Sequence, residues 1–204
     1  MDNSNNPEIM VFDMDGTLYQ LDGDGGTFKN STLFKKIVSN SIEFVIAREG
    51  CERSVAEKLI EEGLKDTIGI SNFLSRRYGI TRSSYFDVAW KIDPETVIKD
   101  FEKPVFAVRK LKRTGKILFL LTAAPRVWME NVVRKLGLDS VFERKYHGEM
   151  FGPKTDIFGV LAKEFNPGKI MSIGDQSETD IDPAKKLGMS TFRIDTPEDL
   201  LKLI

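Results

Sequence analysis

Cysteine and histidine are nearly missing from this sequence: one of each stands among its 204 residues. Cys51 alone can close no internal disulfide, and no Cys/His cluster is present to hold zinc, since His147 has no companion. No sign of charge dominates either. The 30 Lys and Arg against 31 Asp and Glu leave a net charge of −1, so no basic field selects a nucleic acid polymer or an anionic membrane surface. No apolar run approaches the length of a membrane span, and there is no internal repeat or low-complexity tract. The opening stretch Met1–Pro7 is polar and unlike a secretory leader, so a reduced, cytoplasmic setting is expected. What is present, 41% apolar and 30% charged residues, suits a soluble globular protein. The length allows one substantial domain, or a core with a smaller inserted one, working as a monomer or dimer.

The first organised stretch is Ile9-Met10-Val11-Phe12, a continuous apolar run that reads as a fully buried strand of a parallel sheet. After it, Gln20–Thr27 is rich in turn formers and reads as a loop. From Ser31 to about Gly50, Phe34, Ile37, Val38, Ile42, Val45 and Ile46 recur at helical spacing. A second helix is expected from about Ser54, with Val55, Ala56, Leu59 and Ile60 on one face. Further helical pieces are expected over Ile70–Tyr78, Ser83–Lys91 and Pro94–Phe101. No clear strand stands between Tyr19 and Lys116, so a long helical stretch interrupts the chain here.

Beyond it the pattern alternates. Val105, Val108 and Leu111 mark a helix ending at Gly115, and Ile117–Thr122 is a second apolar strand. A helix from about Arg126 turns Trp128, Met129, Val132, Val133 and Leu136 inward. Val141-Phe142 and Tyr146–Gly148 form a short segment without a clear period. Pro153 opens a helix carrying Ile157, Phe158, Leu161 and Phe165. Lys169–Ile173 is a third strand, Asp180–Leu187 a helix, Ser190–Ile194 a last strand and Pro197–Leu203 a terminal helix. Strands alternating with crossover helices argue for a parallel sheet.

Three strands of this pattern end in chemically active residue types: Asp13 and Asp15 after the first, Thr122 after the second, Asp175 after the third. Lys154 lies at the start of a helix. Parallel strands carry all their carboxyl ends to one edge, where open α/β sheets bind ligands, so these residues can converge. Two carboxylates as close as Asp13 and Asp15 repel each other unless a cation or a shared proton lies between them.

The strings that carry these residues resemble, in order and spacing, the signatures of the haloacid dehalogenase (HAD) superfamily of phosphohydrolases. Asp13-Met14-Asp15-Gly16-Thr17-Leu18 is similar to the first motif and Leu121-Thr122 to the second. Lys154 stands where the third is expected, and Gly174-Asp175-Gln176-Ser177-Glu178-Thr179-Asp180 is similar to the fourth. The resemblance covers the whole core and implies an α/β fold: a Rossmann-like parallel-sheet core, 1–19 and 101–204, with a small all-helical cap domain at 20–100 and a flap at 20–27. It implies a Mg²⁺-dependent phosphatase acting on a small-molecule phosphate monoester. Asp13 would be the nucleophile that forms an aspartyl-phosphate. Asp13, Asp175 and the backbone carbonyl of Asp15 would hold Mg²⁺, with Asp180 behind them orienting ligands or Lys154. The Asp15 side chain would protonate the leaving alcohol and then deprotonate water. Thr122, the neighbouring N–H groups including that of Ala123, and Lys154 would hold the transferring phosphoryl oxygens.

The sequence departs from the pattern in places. Thr179 stands where an Asn is common, Thr155 where a Pro is common, and Ala123-Ala124 follow the second motif without an Asn or Gly. Asp182 is close enough to Asp180 to share its role. Tyr19 and Tyr78-Gly79 are faintly similar to the pyrimidine 5′-nucleotidase branch, which makes a nucleotide 5′-monophosphate one candidate substrate. Arg76, Arg77, Tyr78, Tyr85, Trp90, Lys91 and Arg126 are candidates to meet the leaving group. A phosphoglycolate-type phosphatase or a phosphoryl-transferring mutase would have the same core. A phospho-accepting receiver, from another class, would place its acid pair and acceptor on different strands before the Thr and Lys, and would lack the inserted helices. A true dehalogenase needs no metal and no acid for an alcohol, so Asp15 and Asp175 count against it.

Overall fold

The four residues of β1 (Ile9–Phe12) are all buried, and the strand pairs in parallel with a neighbour on each side. A side chain the size of Phe12, removed from water this completely, contributes about 1.5–3 kcal/mol. The computed structural model describes residues 7–22, 28–67 and 69–204. After β1 the chain makes a two-residue strand, β2 (Gln20–Leu21), and enters a helical segment. Its helices are α1 (Thr32–Glu49), α2 (Arg53–Lys65), α3 (Ile70–Tyr78) and α4 (Arg82–Ala89). The chain returns through β3 (Ile98–Lys99) and runs on as α5 (Glu102–Arg113), β4 (Ile117–Leu121) and α6 (Arg126–Lys135). Then come β5 (Arg144–Tyr146), α7 (Lys154–Glu164), β6 (Ile170–Gly174), α8 (Asp182–Lys186), β7 (Ser190–Arg193) and a closing 3₁₀ helix, Pro197–Leu203. No helix among the described residues is long and apolar enough to cross a membrane.

The contacts divide this path into two compact units, Met1–Leu21 with Ile98–Ile204, and Asp22–Val97. The first is an α/β unit built on a five-stranded sheet in the order β5-β4-β1-β6-β7, parallel throughout. One face buries Ile9, Val11, Phe119, Leu121 and Ile170 against Ile157, Phe158 and Leu161 of α7 and Ala184 of α8. The opposite pleats, Met10, Phe12, Leu118 and Leu120, are equally buried. A sheet covered on both faces explains why its central strands read as unbroken apolar runs rather than alternating ones.

The second unit is helical. Ser31 caps α1, its side chain accepting from the Phe34 N–H at 3.1 Å, an interaction worth about 1 kcal/mol. Gly50 ends the helix in the left-handed region, at φ 62°. Ring contacts join Phe44 to Tyr78 and Tyr85, and Phe28 stacks on Trp90.

Several expectations need correction. Pro94–Phe101 is not a helix: a single 3₁₀ turn at Pro94–Thr96 leads into β3. Asp93 and Pro94 do form a helix start, the Asp93 side chain accepting from the Glu95 N–H, but the chain leaves it at once to pair with β2. Short strands therefore do occur between Tyr19 and Lys116. The expected fourth helix ends at Ala89, short of Lys91. Within the stretch without a clear period, Arg144–Tyr146 forms an edge strand, β5, which takes in only Tyr146 of the residues singled out there. Ser177–Ile181 is a turn of π-helix before α8, a geometry frequent at functional sites. Val55, expected on the apolar face of α2, is exposed, and Tyr85, a candidate for the leaving group, is fully buried with its hydroxyl 2.8 Å from Ser41 Oγ. Of the expected flap, residues 23–27 lie outside the described residues.

Candidate active site

β1 lies between β4 and β6, so the chain leaves the sheet in opposite directions on either side of it. In an open α/β sheet such a point opens a crevice at the carboxyl ends of the strands. Asp13 follows β1, Thr122 follows β4 and Asp175 follows β6, one residue beyond each strand. The turn after β1 is tight. Leu18 N–H donates to the Met14 carbonyl at 2.9 Å, and Gly16 sits at φ +83° where a Cβ would lie 2.7 Å from Asp175 Oδ2. Only glycine meets both conditions, a left-handed backbone and close approach to a carboxylate.

Asp13, Asp175 and Asp180 each offer a carboxylate oxygen within 4.8 Å of the others. One cation from the chain stands among them. Lys154, the first residue of α7, is itself buried, its Nζ 2.5 Å from Asp13 Oδ1 and 2.7 Å from Asp180 Oδ1. Burial alone would lower its ammonium; the charges of Asp13 and Asp180 outweigh that and raise it. Asp180 is held by the Gln176 N–H on its other oxygen and through its backbone carbonyl by Ser172 Oγ. Burial and the Asp13 charge raise its carboxyl, with Lys154 opposing. Thr17 Oγ1 donates to Asp13 Oδ2 at 3.0 Å.

Asp175 differs from its neighbours. Its Oδ1 is buried and has no hydrogen-bond partner, and burial, with Asp13 and Asp180 nearby, pushes its carboxyl up to about 7. Three acids facing one amine leave excess negative charge, and an orphaned carboxylate oxygen costs free energy unless something binds it. Hard oxygen donors converging in this way fit a divalent cation such as Mg²⁺.

Asp15 points elsewhere. Its Oδ1 accepts from the Tyr19 hydroxyl and from Trp128 Nε1 at 2.9 Å, while Thr122 Oγ1 lies 3.4 Å from its Oδ2. Burial raises its carboxyl above the ordinary range; the Tyr19 hydrogen bond opposes this and the Asp13 charge adds to it. Thr122 Oγ1 donates that long hydrogen bond to Asp15 Oδ2 and accepts one from the Ala124 N–H. The loop it begins is braced by β5 and the residues just after it: Thr122 N–H donates to the Tyr146 carbonyl, and Gly148 N–H to the Ala124 carbonyl. Gly148 comes so near that a Cβ there would lie 2.1 Å from the Ala123 carbonyl oxygen.

The structure thus gathers Asp13, Asp175, Asp180 and Lys154, and sets Asp15 and Thr122 beside each other. Asp182 is not in the acidic cluster. Arg76 is paired with Asp66, and Arg77 and Tyr78 with Glu49, within the helical unit. Sequence reasoning did not connect Tyr19 or Trp128 with Asp15. The one available signal was a tyrosine four residues beyond the second acid, close enough to fold back on it.

Comparison with known proteins agrees with this fold. The chain is similar to a glyceraldehyde 3-phosphate phosphatase of Methanocaldococcus jannaschii, 24% identical over 210 residues that cover 91% of this chain and 83% of that protein. Among solved structures it resembles a HAD phosphatase from Thermococcus onnurineus, with TM-score 0.64, 18% identity, and 96% of this chain and 97% of that one covered. It also resembles a HAD family enzyme from Bacteroides thetaiotaomicron in complex with magnesium and inorganic phosphate, with TM-score 0.58, 18% identity, and 98% and 100% covered. The family model for haloacid dehalogenase-like hydrolases matches residues 7–188, and the chain belongs to that family.

Proposed function

We propose that this enzyme, a hydrolase of phosphoric monoester bonds, depends on Mg²⁺ and works through an aspartyl-phosphate on Asp13. The observation that carries the reading is the cluster itself. Asp13, Asp175 and Asp180 converge beside a single buried lysine, and Asp175 Oδ1 is left without a partner. In this reading Asp13, Asp175 and the Asp15 backbone carbonyl hold the ion, and Asp180 fixes Lys154. When bound, Mg²⁺ supplies the positive charge that lets a carboxylate nucleophile share a site with a phosphate dianion.

The chain's own groups do the rest. Asp13 attacks phosphorus through its carboxylate, and its bond to the ester oxygen's phosphorus replaces the bond to the alcohol. Asp15 gives a proton to the departing oxygen, then takes one from the water that opens the intermediate. Lys154 and Thr122, with the N–H of Ala123, hold the transferring oxygens. The inserted helical unit, Asp22–Val97, acts as the cap that selects the leaving group and keeps out water during transfer.

The substrate is a small phosphate monoester. The relative named as a glyceraldehyde 3-phosphate phosphatase favours a small sugar phosphate as the first ester to test, ahead of a nucleotide 5′-monophosphate. The test is a panel of sugar phosphates, phosphoglycolate and nucleotides, assayed with Mg²⁺ and with EDTA. Many phosphates released per chain, only with the metal, is the expected result. A single equivalent of bound phosphoryl group without release would make the protein a receiver instead, and transfer to an added sugar phosphate would make it a mutase.

A further inference from the structure

We propose that Tyr19 and Trp128 are positioning residues for the proton transfers at Asp15, committing one of its oxygens to the fold so that the proton travels on the other. The inference rests on Asp15 being the acid and base of the reaction above. Both residues are fully buried. Trp128 Nε1 is 2.9 Å from Asp15 Oδ1 and 3.2 Å from the Tyr19 hydroxyl oxygen, and that hydroxyl also binds Oδ1. An indole N–H can only donate. Its proton is therefore shared between Oδ1 and the tyrosine oxygen, and the tyrosine, accepting from the indole, spends its own proton on Oδ1.

Two donors thus occupy Asp15 Oδ1, and neither can be replaced by water in a buried position. The proton of the neutral carboxyl then belongs on Oδ2, to which Thr122 Oγ1 of the second-motif loop donates only a long hydrogen bond, at 3.4 Å. During ester cleavage the phosphorus–oxygen bond breaks with its electron pair on the alcohol oxygen, which takes the Oδ2 proton while Asp13 bonds to phosphorus. In the second half water bonds to phosphorus, its proton returns to Oδ2, and the Asp13 carboxylate and inorganic phosphate are released. A carboxyl free to rotate would offer its two oxygens indifferently, and proton transfer loses efficiency when its geometry is loose. Tyr19 sits at the end of the tight turn that carries both acids, and Trp128 on the first turn of α6. The pair therefore joins the turn after β1 to the helix after β4 through the one side chain that must keep its orientation.

Tyr19→Phe removes a single hydroxyl, and Trp128→Phe removes the shared donor. Both are to be compared with Asp15→Asn and with the doubles Tyr19→Phe/Asp15→Asn and Trp128→Phe/Asp15→Asn, on p-nitrophenyl phosphate and on an alkyl phosphate. Each single variant is expected to lower kcat/KM, which reports formation of the phosphoenzyme, at least about tenfold more for the alkyl ester than for the aryl ester, because in that step only a basic leaving oxygen needs the acid. In the Asp15→Asn background the same changes should add almost nothing. Equal losses of kcat/KM on the two esters, or full additivity with Asp15→Asn, would mean that the pair only supports packing, and would overturn the inference. If Trp128→Phe fails to fold, Tyr19→Phe decides alone. If instead Asp15→Asn itself leaves both rates intact, it is the assignment of Asp15 that fails, a result separate from the behaviour of the pair.

Discussion

Lys154 Nζ lies 2.5 Å from Asp13 Oδ1, with both side chains almost wholly buried. A lysine at a helix start is ordinarily solvated; this one is drawn inward because two carboxylates wait for it, and they in turn need it. Removing one partner of a buried pair leaves the other charge uncompensated, at a cost of about 3–5 kcal/mol. Lys154→Met is therefore expected to melt lower in EDTA, and Mg²⁺ should restore part of the loss by binding the carboxylates. The rate should not follow. A cation aimed at the transferring oxygens is worth on the order of a hundred- to a thousandfold, and Lys154→Arg, with a planar and larger head, should not recover it. Melting curves and steady-state rates on the same samples check this; full activity in Lys154→Met would remove the residue from the site.

What could be read from the sequence follows from burial. β1, β4 and β6 are covered on both faces, so their apolar runs announced them, and the acids and threonine at their ends came with them. β5 gave no such signal: it is an edge strand made of Arg144, Lys145 and Tyr146, and Arg144 lies over the rings of Phe119 and Phe165 while pairing with Glu164 at the surface. β2 and β3, at two residues each, are too short to show any period. The π turn was invisible because it exists to bring Asp180 back against Gly174, where a Cβ would lie 2.4 Å from the Asp180 carboxylate. Trp128 looked like a core residue on an apolar helix face, and it is one. Only the fold reveals that its indole nitrogen meets Asp15.

Asp175 makes the metal-free enzyme sensitive to pH in a definite direction. Its carboxyl ordinarily titrates at 3.8 and is raised to about 7 in the fold, chiefly by burial. The native state thus binds the proton more tightly than the unfolded chain. Its contribution to stability is fully present below pH 3.8 and is lost as pH rises through about 7. In EDTA, Asp175→Asn should accordingly gain on the wild type as pH rises from 4 toward 8. With Mg²⁺ the order should reverse at the upper end, since the ion stabilises only the protein that binds it. Paired melting curves across this range are the measurement. A difference independent of pH in EDTA would show that Asp175 carries no titrating strain.

Gly148 holds the second-motif loop in place by lacking a side chain. A Cβ there would lie 2.1 Å from the Ala123 carbonyl oxygen, a backbone atom that cannot rotate away, so Gly148→Ala must displace the loop bearing Thr122. Displacement of about 1 Å costs on the order of a hundredfold in rate, and inhibition by inorganic phosphate should weaken with it. Gly159 is the control: it lies within α7 with open space around its Cβ position. Gly159→Ala should keep full activity and stabilise the helix by about 0.5–1 kcal/mol. Phosphate inhibition constants and melting temperatures for the two variants separate a local clash at the site from a general cost of adding a methyl group.

The two acids of the first motif should fail in different ways. Asp13 faces Lys154 and the other carboxylates, while Asp15 faces Tyr19, Trp128 and Thr122; in the proposed mechanism the one bonds phosphorus and the other moves a proton. Asp13→Asn removes the nucleophile. No aspartyl-phosphate can form, and the rate should fall at least roughly a thousandfold with either kind of ester. Asp15→Asn keeps the backbone carbonyl assigned to the metal and loses only the transferable proton, so Mg²⁺ affinity should change little. Its first step should slow most for alkyl phosphates, whose departing oxygen is basic, and less for p-nitrophenyl phosphate. Its second step should slow for both, because water then lacks a base, and phosphoenzyme should accumulate on the activated ester. Single-turnover rates, trapped phosphoenzyme and Mg²⁺ titrations of both variants distinguish the cases. Loss of Mg²⁺ binding in Asp15→Asn, or phosphoenzyme formed by Asp13→Asn, would exchange the roles of the two residues.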